Sequence, residues 1–222
     1  IIKNRFVDIN TRAKIFGLYS IDDNKLTKVD MKKLVSFLKK AKKLSNNFII
    51  SDFGHGFINK EISDFLSSRG FNYTLNAQIN SANRGYHGLF KYKNPNSIII
   101  NESELRYEFK DKYSSMENLI IKLSSKLKSK TIVVTRGPEG AMSFSKKEGF
   151  LNCPAFSHKI VDRVGAGDAV LGIFSLCKFA GLDNDLSLFL SSISGGYQTS
   201  IVNNKSFLDR ANLLKQINHL LK

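Results

Sequence analysis

Three short, largely apolar segments constrain the fold of this chain more than any other feature. They cover residues 48–51, 98–100 and 131–134. A strand with one face in water alternates between polar and apolar residues, whereas a strand covered on both faces stays apolar along its length. The three segments are therefore predicted to be central strands of a sheet that carries helices on both faces.

Stretches with helical spacing of apolar residues lie between and after these strands. They are predicted over residues 30–45, 58–69, 102–109, 115–128, 168–180, 185–195 and 206–221. Strands that alternate with helices are typical of a parallel sheet. At 222 residues with 42% hydrophobic content, the chain can build one sizeable core. The expected fold class is α/β, with a mainly parallel central sheet.

Each predicted strand ends in a polar residue that could take part in chemistry. These residues are Asp52, Asn101 and Thr135. In open parallel sheets, ligands bind beyond the carboxyl ends of the strands. We expect the three side chains to collect at one edge of the sheet and to form part of a site. The alternative is that they are ordinary polar strand ends.

The chain is strongly basic, with 34 Lys and Arg against 19 Asp and Glu and a net charge of +15. Such a balance favours anionic partners such as phosphate esters, nucleic acids or membrane surfaces. The densest lysine cluster lies within residues 30–45, where Leu34, Leu38 and Ala41 mark an apolar helix face. A nucleic-acid groove would require interleaved aromatic residues, and this segment offers only Phe37. A solvated helix face is favoured, and nucleic acid is not expected as a partner.

Membrane insertion and a disulfide framework are also not expected. No run of about 18 apolar residues is present to span a bilayer. The two cysteines, Cys153 and Cys177, are too few for a disulfide scaffold or a cysteine metal site. A cytoplasmic location is the expectation.

The segment from Gly165 to Asp168 reads GAGD and precedes a long apolar stretch. The first amides of a helix lack intrahelical partners, and glycines allow the backbone to approach an anion. Gly165, Ala166 and Gly167 are therefore predicted to form an anion hole, with Asp168 as a base for a substrate hydroxyl. Together they describe phosphoryl transfer to an alcohol. The alternative is a plain glycine turn in which Asp168 begins a helix.

Several further polar residues are candidates for substrate binding. Amide side chains can both donate to and accept from sugar hydroxyls, and arginine pairs with phosphate. The candidates on these grounds are Arg5, Asn80, Asn83 and Arg84. Asp52 is a further candidate, since a carboxylate at a strand end could bond sugar hydroxyls or organise the phosphate region. The alternatives are a surface arginine, a strand-end turn residue and an ordinary polar loop.

Three motifs in a fixed order resemble the ribokinase-like (PfkB) carbohydrate kinases. The stretch VDRVGAGDAV resembles the family signature D-T-x-G-A-G-D. NESE, with Asn101 and Glu104, resembles the N-x-x-E motif. TRGPEG, with Thr135, Gly137 and Gly140, resembles the nucleotide-binding T-x-G-x-x-G segment.

The resemblance implies a three-layer α/β/α kinase that uses ATP and Mg²⁺. It implies that Asp168 is the catalytic base and that the amides of residues 165–167 stabilise the transferred phosphoryl group. It further implies that Asn101 and Glu104 organise magnesium and phosphates through water. Thr135, Gly137 and Gly140 would then lie along ATP.

A finer resemblance concerns the acceptor. SDFGHGFI, NAQINSANRGYHG and INESELR are similar to segments of the heptose-phosphate kinase domain of ADP-heptose synthases. This implies a sugar or a sugar phosphate as substrate, with a heptose phosphate as the candidate. The alternative is a non-catalytic kinase remnant that binds nucleotide or a partner.

Two departures from the family pattern qualify these expectations. Arg163 occupies the position of the signature threonine, which puts a monovalent-cation site in question. Its own guanidinium group could instead lie near the triphosphate. The family domain is longer, so residues 1–222 are expected to be its C-terminal two-thirds, without the N-terminal strands and part of the lid. An unpaired sheet edge would then invite a second copy, which makes a homodimer one expectation.

Overall fold

The computed structural model describes residues 2–11, 14–22, 24–79, 83, 85, 87–156, 160–201, 206 and 208–220. Asn80 and Arg84, two of the candidate substrate residues, lie outside these ranges.

A six-stranded sheet forms the centre of the described chain. Its strands are β3 (Asn47–Asp52), β4 (Asn72–Ala77), β5 (Ser97–Asn101), β6 (Thr131–Thr135), β7 (Ala141–Ser145) and β8 (Gly149–Cys153), in that spatial order. The pairs from β3 to β6 are parallel, and β7 and β8 join as antiparallel strands. The prediction of a mainly parallel sheet is confirmed.

The helices follow the predicted positions closely. They are α1 (Lys28–Leu44), α2 (Lys60–Ser68), α3 (Glu102–Phe109), α4 (Met116–Leu127), α5 (Ala166–Phe179), α6 (Asn184–Thr199) and α7 (Arg210–Leu220). None of the helices in the described ranges is long and apolar enough to cross a membrane.

Helices cover both faces of the sheet, because successive residues of the central strands enter opposite cores. Ile98 and Ile100 of β5 pack in a large cluster with side chains of α2, α3 and α4. Ile99 points the other way, into a smaller cluster with Leu171 and Phe174 of α5. This alternation makes the three-layer α/β/α arrangement and explains why β5 is apolar at every one of these positions.

The strand β4 was not predicted, since its sequence NYTLNA mixes polar and apolar residues. Thr74 and Asn76 are nevertheless buried within the sheet. The amide of Asn76 donates to the carbonyl of Ile99 at 2.9 Å, which compensates part of the cost of burying it. The strand was missed because its buried positions include polar residues, whereas the prediction looked for continuous apolar runs.

A separate antiparallel hairpin precedes the main sheet and was likewise not predicted. It consists of β1 (Ile2–Val7) and β2 (Lys14–Ser20). Phe6 and Phe16 stack across it with ring centroids 4.4 Å apart. The ammonium group of Lys3 lies 5.2 Å from the ring centroid of Phe53, so the hairpin reaches the carboxyl end of β3.

Candidate active site

The carboxyl ends of the parallel strands meet at one edge of the sheet. Asn101 and Thr135 are register partners on β5 and β6, and Asp52 is paired with Ala77 across β3 and β4. The structure therefore brings the three strand-end residues to a common edge. The loop that enters α5 supplies the fourth part of the site.

The start of α5 differs from the starts of its neighbours, because no side chain caps it. Its N-cap residue is Gly165, in the left-handed conformation with φ 84°. Five other helices, α1, α2, α3, α4 and α6, have a side-chain cap, supplied by Thr27, Asn59, Asn101, Ser115 and Asp183. Without such a cap, the first-turn amides of α5 are suited to an external anion.

The two glycines of the loop have different requirements. Gly165 needs the absence of a side chain because of its positive φ. Gly167 has no such φ, and a Cβ built on it would have no heavy atom within 4 Å. Its missing side chain instead leaves open space above the helix start. Ahead of the loop, the carboxylate of Asp162 accepts a hydrogen bond from the N–H of Val164 at 3.0 Å and tightens the approach to Gly165.

Asp168 lies in the first turn of α5 and is accessible to solvent. Neighbouring protein atoms nevertheless desolvate the carboxyl enough to raise its pKa above the ordinary value. A hydrogen bond from Nε2 of Gln78 to Oδ1, at 3.0 Å, acts in the opposite direction. A carboxylate with a raised pKa is a better proton acceptor than an ordinary aspartate while it remains ionised.

The Asn101–Glu104 motif is a reciprocal cap at the start of α3. Oδ1 of Asn101 accepts from the N–H of Glu104 at 2.8 Å, and Oε2 of Glu104 accepts from the N–H of Asn101 at 3.1 Å. The second Glu104 oxygen accepts from the N–H of Ile79 at 3.1 Å. Both oxygens thus have backbone donors, which fixes the carboxylate at the sheet edge.

Glu104 and Asp168 influence one another electrostatically. Burial raises the pKa of Glu104, backbone hydrogen bonds lower it, and the negative charge of Asp168 raises it further. Two carboxylates within electrostatic reach create a negative field that a divalent cation would relieve.

The donor set fits Mg²⁺ held through water and phosphate, not a cage of protein ligands. Within the described ranges, no group of three or more His, Cys, Asp or Glu residues is arranged to hold a metal ion. Mg²⁺ commonly keeps several waters and binds through one or two carboxylates together with substrate phosphates. Glu104, anchored by two backbone amides, provides a carboxylate of this kind.

The turn after β6 contains both predicted nucleotide glycines. Gly137 has φ 59°, and a Cβ added to it would meet no heavy atom within 4 Å. Gly140 has φ 83°, and a Cβ there would overlap the carbonyl oxygen of Cys153. The structure therefore requires glycine at 140 for packing as well as for conformation.

One charged cluster beside this turn was missed by sequence reasoning. Glu102 bridges two arginines, accepting from Nε of Arg106 at 2.8 Å and from Nε of Arg136 at 3.1 Å. Arg136 also pairs with Glu139. Burial would raise the pKa of Glu102, but the two guanidinium groups lower it. The cluster clamps the start of α3 to the turn after β6.

Asp52 is buried and bonded to protein donors. Its Oδ2 lies 2.6 Å from Nζ of Lys91 and 2.5 Å from the hydroxyl of Tyr92, and its Oδ1 accepts from the N–H of Gly54 at 2.9 Å. Burial would raise the pKa of Asp52, but Lys91, Tyr92 and Gly54 lower it. Its carboxylate, 3% exposed, holds the loop after β3 and is not positioned to offer an oxygen to a sugar.

The remaining substrate candidates lie apart. Nδ2 of Asn83 donates to the carbonyls of Phe53 and Gln78, at 2.9 and 2.8 Å, so this buried residue ties two loops together. Arg5 is exposed on β1 of the hairpin. Asn83 is thus connected to Asp168 through Gln78, whose Nε2 donates to Oδ1 of Asp168 at 3.0 Å, whereas no described contact joins Arg5 to Asp168.

Comparison with known proteins adds independent findings. The model of the pfkB family of carbohydrate kinases matches residues 6–195. Curated relatives include a bifunctional protein HldE of Aliarcobacter butzleri, 23% identical over 190 residues, and one of Aeromonas hydrophila, 25% identical over 171 residues. These alignments cover 84% and 76% of this chain but only 37% and 35% of the relatives.

Solved structures share the fold at low identity. Phosphofructokinase-2 from Escherichia coli in complex with fructose-6-phosphate matches with a TM-score of 0.75 and 14% identity, over 99% of this chain and 70% of that one. A ribokinase from Thermotoga maritima matches with a TM-score of 0.72 and 16% identity, over 97% and 69%. The family match covers most of the chain and includes the α5 loop, the capping motif and the turn after β6. The chain belongs to the pfkB family of carbohydrate kinases.

Proposed function

We propose that the chain transfers the terminal phosphoryl group of ATP to a hydroxyl of a sugar or sugar phosphate, with Asp168 as the general base. The observation that carries this proposal is the position of Asp168 in the first turn of α5, the helix that begins without a side-chain cap. A base and an anion-binding helix start are thereby adjacent. Family membership supports phosphoryl transfer as the reaction.

The proposed step is a direct displacement. The acceptor oxygen attacks the terminal phosphorus of ATP, the bond to the bridging oxygen breaks, and ADP leaves. The hydroxyl proton passes to the carboxylate of Asp168. The amides of residues 165–168 hold the oxygens of the transferred group as charge develops on them.

The edge of the sheet supports the nucleotide in this proposal. Asn101 and Glu104 fix the start of α3, and Glu104 would hold Mg²⁺ through water. Bound Mg²⁺ would neutralise charge on the phosphate oxygens. Thr135 and the 137–140 turn would lie along the nucleotide, since they close the same edge beside Asn101.

For the acceptor, we propose a phosphorylated sugar, and a heptose phosphate is the leading candidate. Support comes from the resemblance of residues 51–58 to heptose-phosphate kinase domains and from the bifunctional HldE relatives. Arg5, Asn80, Asn83 and Arg84 remain the candidate contacts, with Asp52 in a supporting role through the loop it holds. The net charge of +15 is compatible with anionic substrates.

The test replaces the base and leaves the nucleotide site intact. Asp168→Asn is expected to lower acceptor-dependent ADP release by about 10² to 10⁴-fold, the usual contribution of a general base. Affinity for ATP with Mg²⁺, measured by calorimetry, should stay near that of the unmodified protein. Asp185→Asn, the same change in the exposed first turn of α6, is the matched control and should retain activity.

The assay uses a panel of sugars and sugar phosphates that includes heptose phosphates. Near-normal turnover by Asp168→Asn would contradict the assignment of the base. ATP binding without turnover on any acceptor would instead favour the alternative function, a nucleotide-binding kinase remnant.

A further inference from the structure

We infer that Gln78 is the positioning residue for Asp168, an inference that rests on the proposed function. Gln78 directly follows β4, and its backbone is fixed on both sides. Its N–H donates to the carbonyl of Asp52 at 2.9 Å, and its carbonyl accepts from Nδ2 of Asn83 at 2.8 Å. The side chain therefore extends from an anchored point.

From this anchor, Gln78 reaches a helix that lies 90 residues further along the chain. Its Nε2 donates to Oδ1 of Asp168 at 3.0 Å. A carboxylate in the first turn of a helix can otherwise adopt more than one rotamer. With one oxygen held by an amide, the orientation of the group is restricted and the other oxygen is left to accept the substrate proton.

The neighbouring residue makes the parallel contact to the second carboxylate of the site. The N–H of Ile79 donates to Oε1 of Glu104, whose charge is coupled to that of Asp168. Two consecutive residues after β4 thus each hold one carboxylate. This arrangement keeps two like charges at defined positions, with Gln78 assigned to the base.

A hydrogen bond to the ionised form of a carboxyl lowers its pKa, which gives Gln78 a measurable signature. The charged groups to consider are Glu104 on α3, whose pKa responds to the charge of Asp168, and Arg163, which precedes Asp168 in sequence. These remain in place when Gln78 is changed. Removal of the Gln78 donor should therefore raise the pKa of Asp168 further above the ordinary value.

The experiment combines a titration with kinetics. Gln78→Met keeps the length of the side chain and removes the donor. The pKa of Asp168 is followed by carbon-13 NMR of labelled aspartates, with its resonance identified by its loss in Asp168→Asn. The expected result is a higher pKa in Gln78→Met and a fall in kcat of about ten- to a hundredfold, the cost of one hydrogen bond to a charged group. The KM for ATP should not change.

Two controls make the outcome decisive. Gln216→Met applies the same chemical change on α7 and should leave both the titration and kcat unchanged. Gln78→Glu, which preserves shape and replaces the donor with a negative charge, should also raise the pKa of Asp168, and it serves as the test if Gln78→Met fails to fold.

An unchanged titration of Asp168 in a folded Gln78 variant would overturn the inference. So would a kcat equal to that of the unmodified protein. If the unmodified protein turned over no acceptor, the proposed function would fail, while the titration would still report whether Gln78 holds Asp168.

Discussion

At the scale of single residues, two aspartates at the same sheet edge have opposite properties. Burial outweighs the Gln78 hydrogen bond and raises the pKa of Asp168. At Asp52 burial acts in the same direction, but Lys91, Tyr92 and the amide of Gly54 outweigh it and lower the pKa. Their hydrogen-bond partners and their exposure to solvent distinguish them. Only the residue with a raised pKa and solvent access is suited to accept a proton.

Gly167 provides a test of the anion hole at this scale. Because a side chain at 167 would enter open space from a helical backbone, Gly167→Val should not reduce the free energy of unfolding. It should instead block the approach of a phosphate to the helix start and weaken ATP binding at least tenfold by calorimetry, which is about 1.4 kcal/mol.

Gly172→Val is the matched control, since Gly172 lies on the same helix with equally open surroundings. It should bind ATP normally. Equal affinities for the two variants would show that the start of α5 is not the phosphate site.

Predictability at the residue scale follows the strength of the local pattern. Asp168, Asn101 and Thr135 could be found because each adjoins a run whose apolar character fixes its place. The position of Gln78 beside Asp168 could not be predicted, since Gln78 follows β4, the strand with polar residues in its interior. Its contact also joins residues 78 and 168, a separation at which sequence pattern carries no information.

At the scale of elements, the helix starts divide into capped and uncapped. The α3 cap has both of its hydrogen bonds, between Asn101 and Glu104. The same spacing is an N-terminal capping signal as well as a family motif. Sequence alone could therefore have predicted the cap, in addition to the role in magnesium binding that the family resemblance implies.

Asn101→Ala and Ser115→Ala separate the two roles of that motif. Each removes the N-cap of one helix, α3 or α4, and each should lower the free energy of unfolding by about 1 kcal/mol in denaturant titrations. Only Asn101→Ala should also weaken the binding of ATP with Mg²⁺, because it removes a side chain proposed to organise magnesium and phosphates through water at the sheet edge. Weakened binding in both variants would mean that the loss is a general effect of stability.

The helices were easier to predict than the strands. The helices of the described ranges lie within a few residues of their predicted positions, since their apolar spacing and caps are local properties. The outer strands β7 and β8 and the hairpin β1–β2 were missed. Polar residues or glycine interrupt the apolar residues in each of them, and β1 and β8, unlike the largely buried β7, are mostly exposed or partly buried. Tertiary pairing, which local sequence does not encode, decides these strands.

At the scale of the whole molecule, the Asp52–Lys91 pair joins two segments that are distant in the chain. Lys91 also donates to the carbonyl of Ile58 at 2.5 Å, so it bridges the end of β3 and the start of α2. The Asp52 side chain is 3% exposed and that of Lys91 22%. Breaking a buried pair by removing one partner is strongly destabilising, because the other charge is left uncompensated.

Asp52→Asn should therefore lower the free energy of unfolding at pH 7 by about 3 kcal/mol. The pKa of Asp52 is lower in the folded than in the unfolded state, so its stabilising effect is present at neutral pH and is lost as the pH falls below about 4. Denaturant titrations from pH 7 to pH 3 should show a shallower loss of stability in the variant.

Asp64→Asn is the control, since Asp64 forms exposed ion pairs with Lys60 and Lys93. Its replacement should have little effect at pH 7, as is usual for surface pairs. The same acid dependence in Asp52→Asn as in the unmodified protein would show that the buried pair does not govern acid stability.

The bare start of α5 has a consequence for the free protein. A capping side chain stabilises a helix at all times, whereas an uncapped helix is completed only when another group meets its amides. Under the proposed function that group is the phosphate of the nucleotide, which would then cap the helix that binds it. Binding would then stabilise the first turn of α5, which lacks a cap in the free protein. The amide hydrogens of that turn would therefore exchange more slowly when the nucleotide is present.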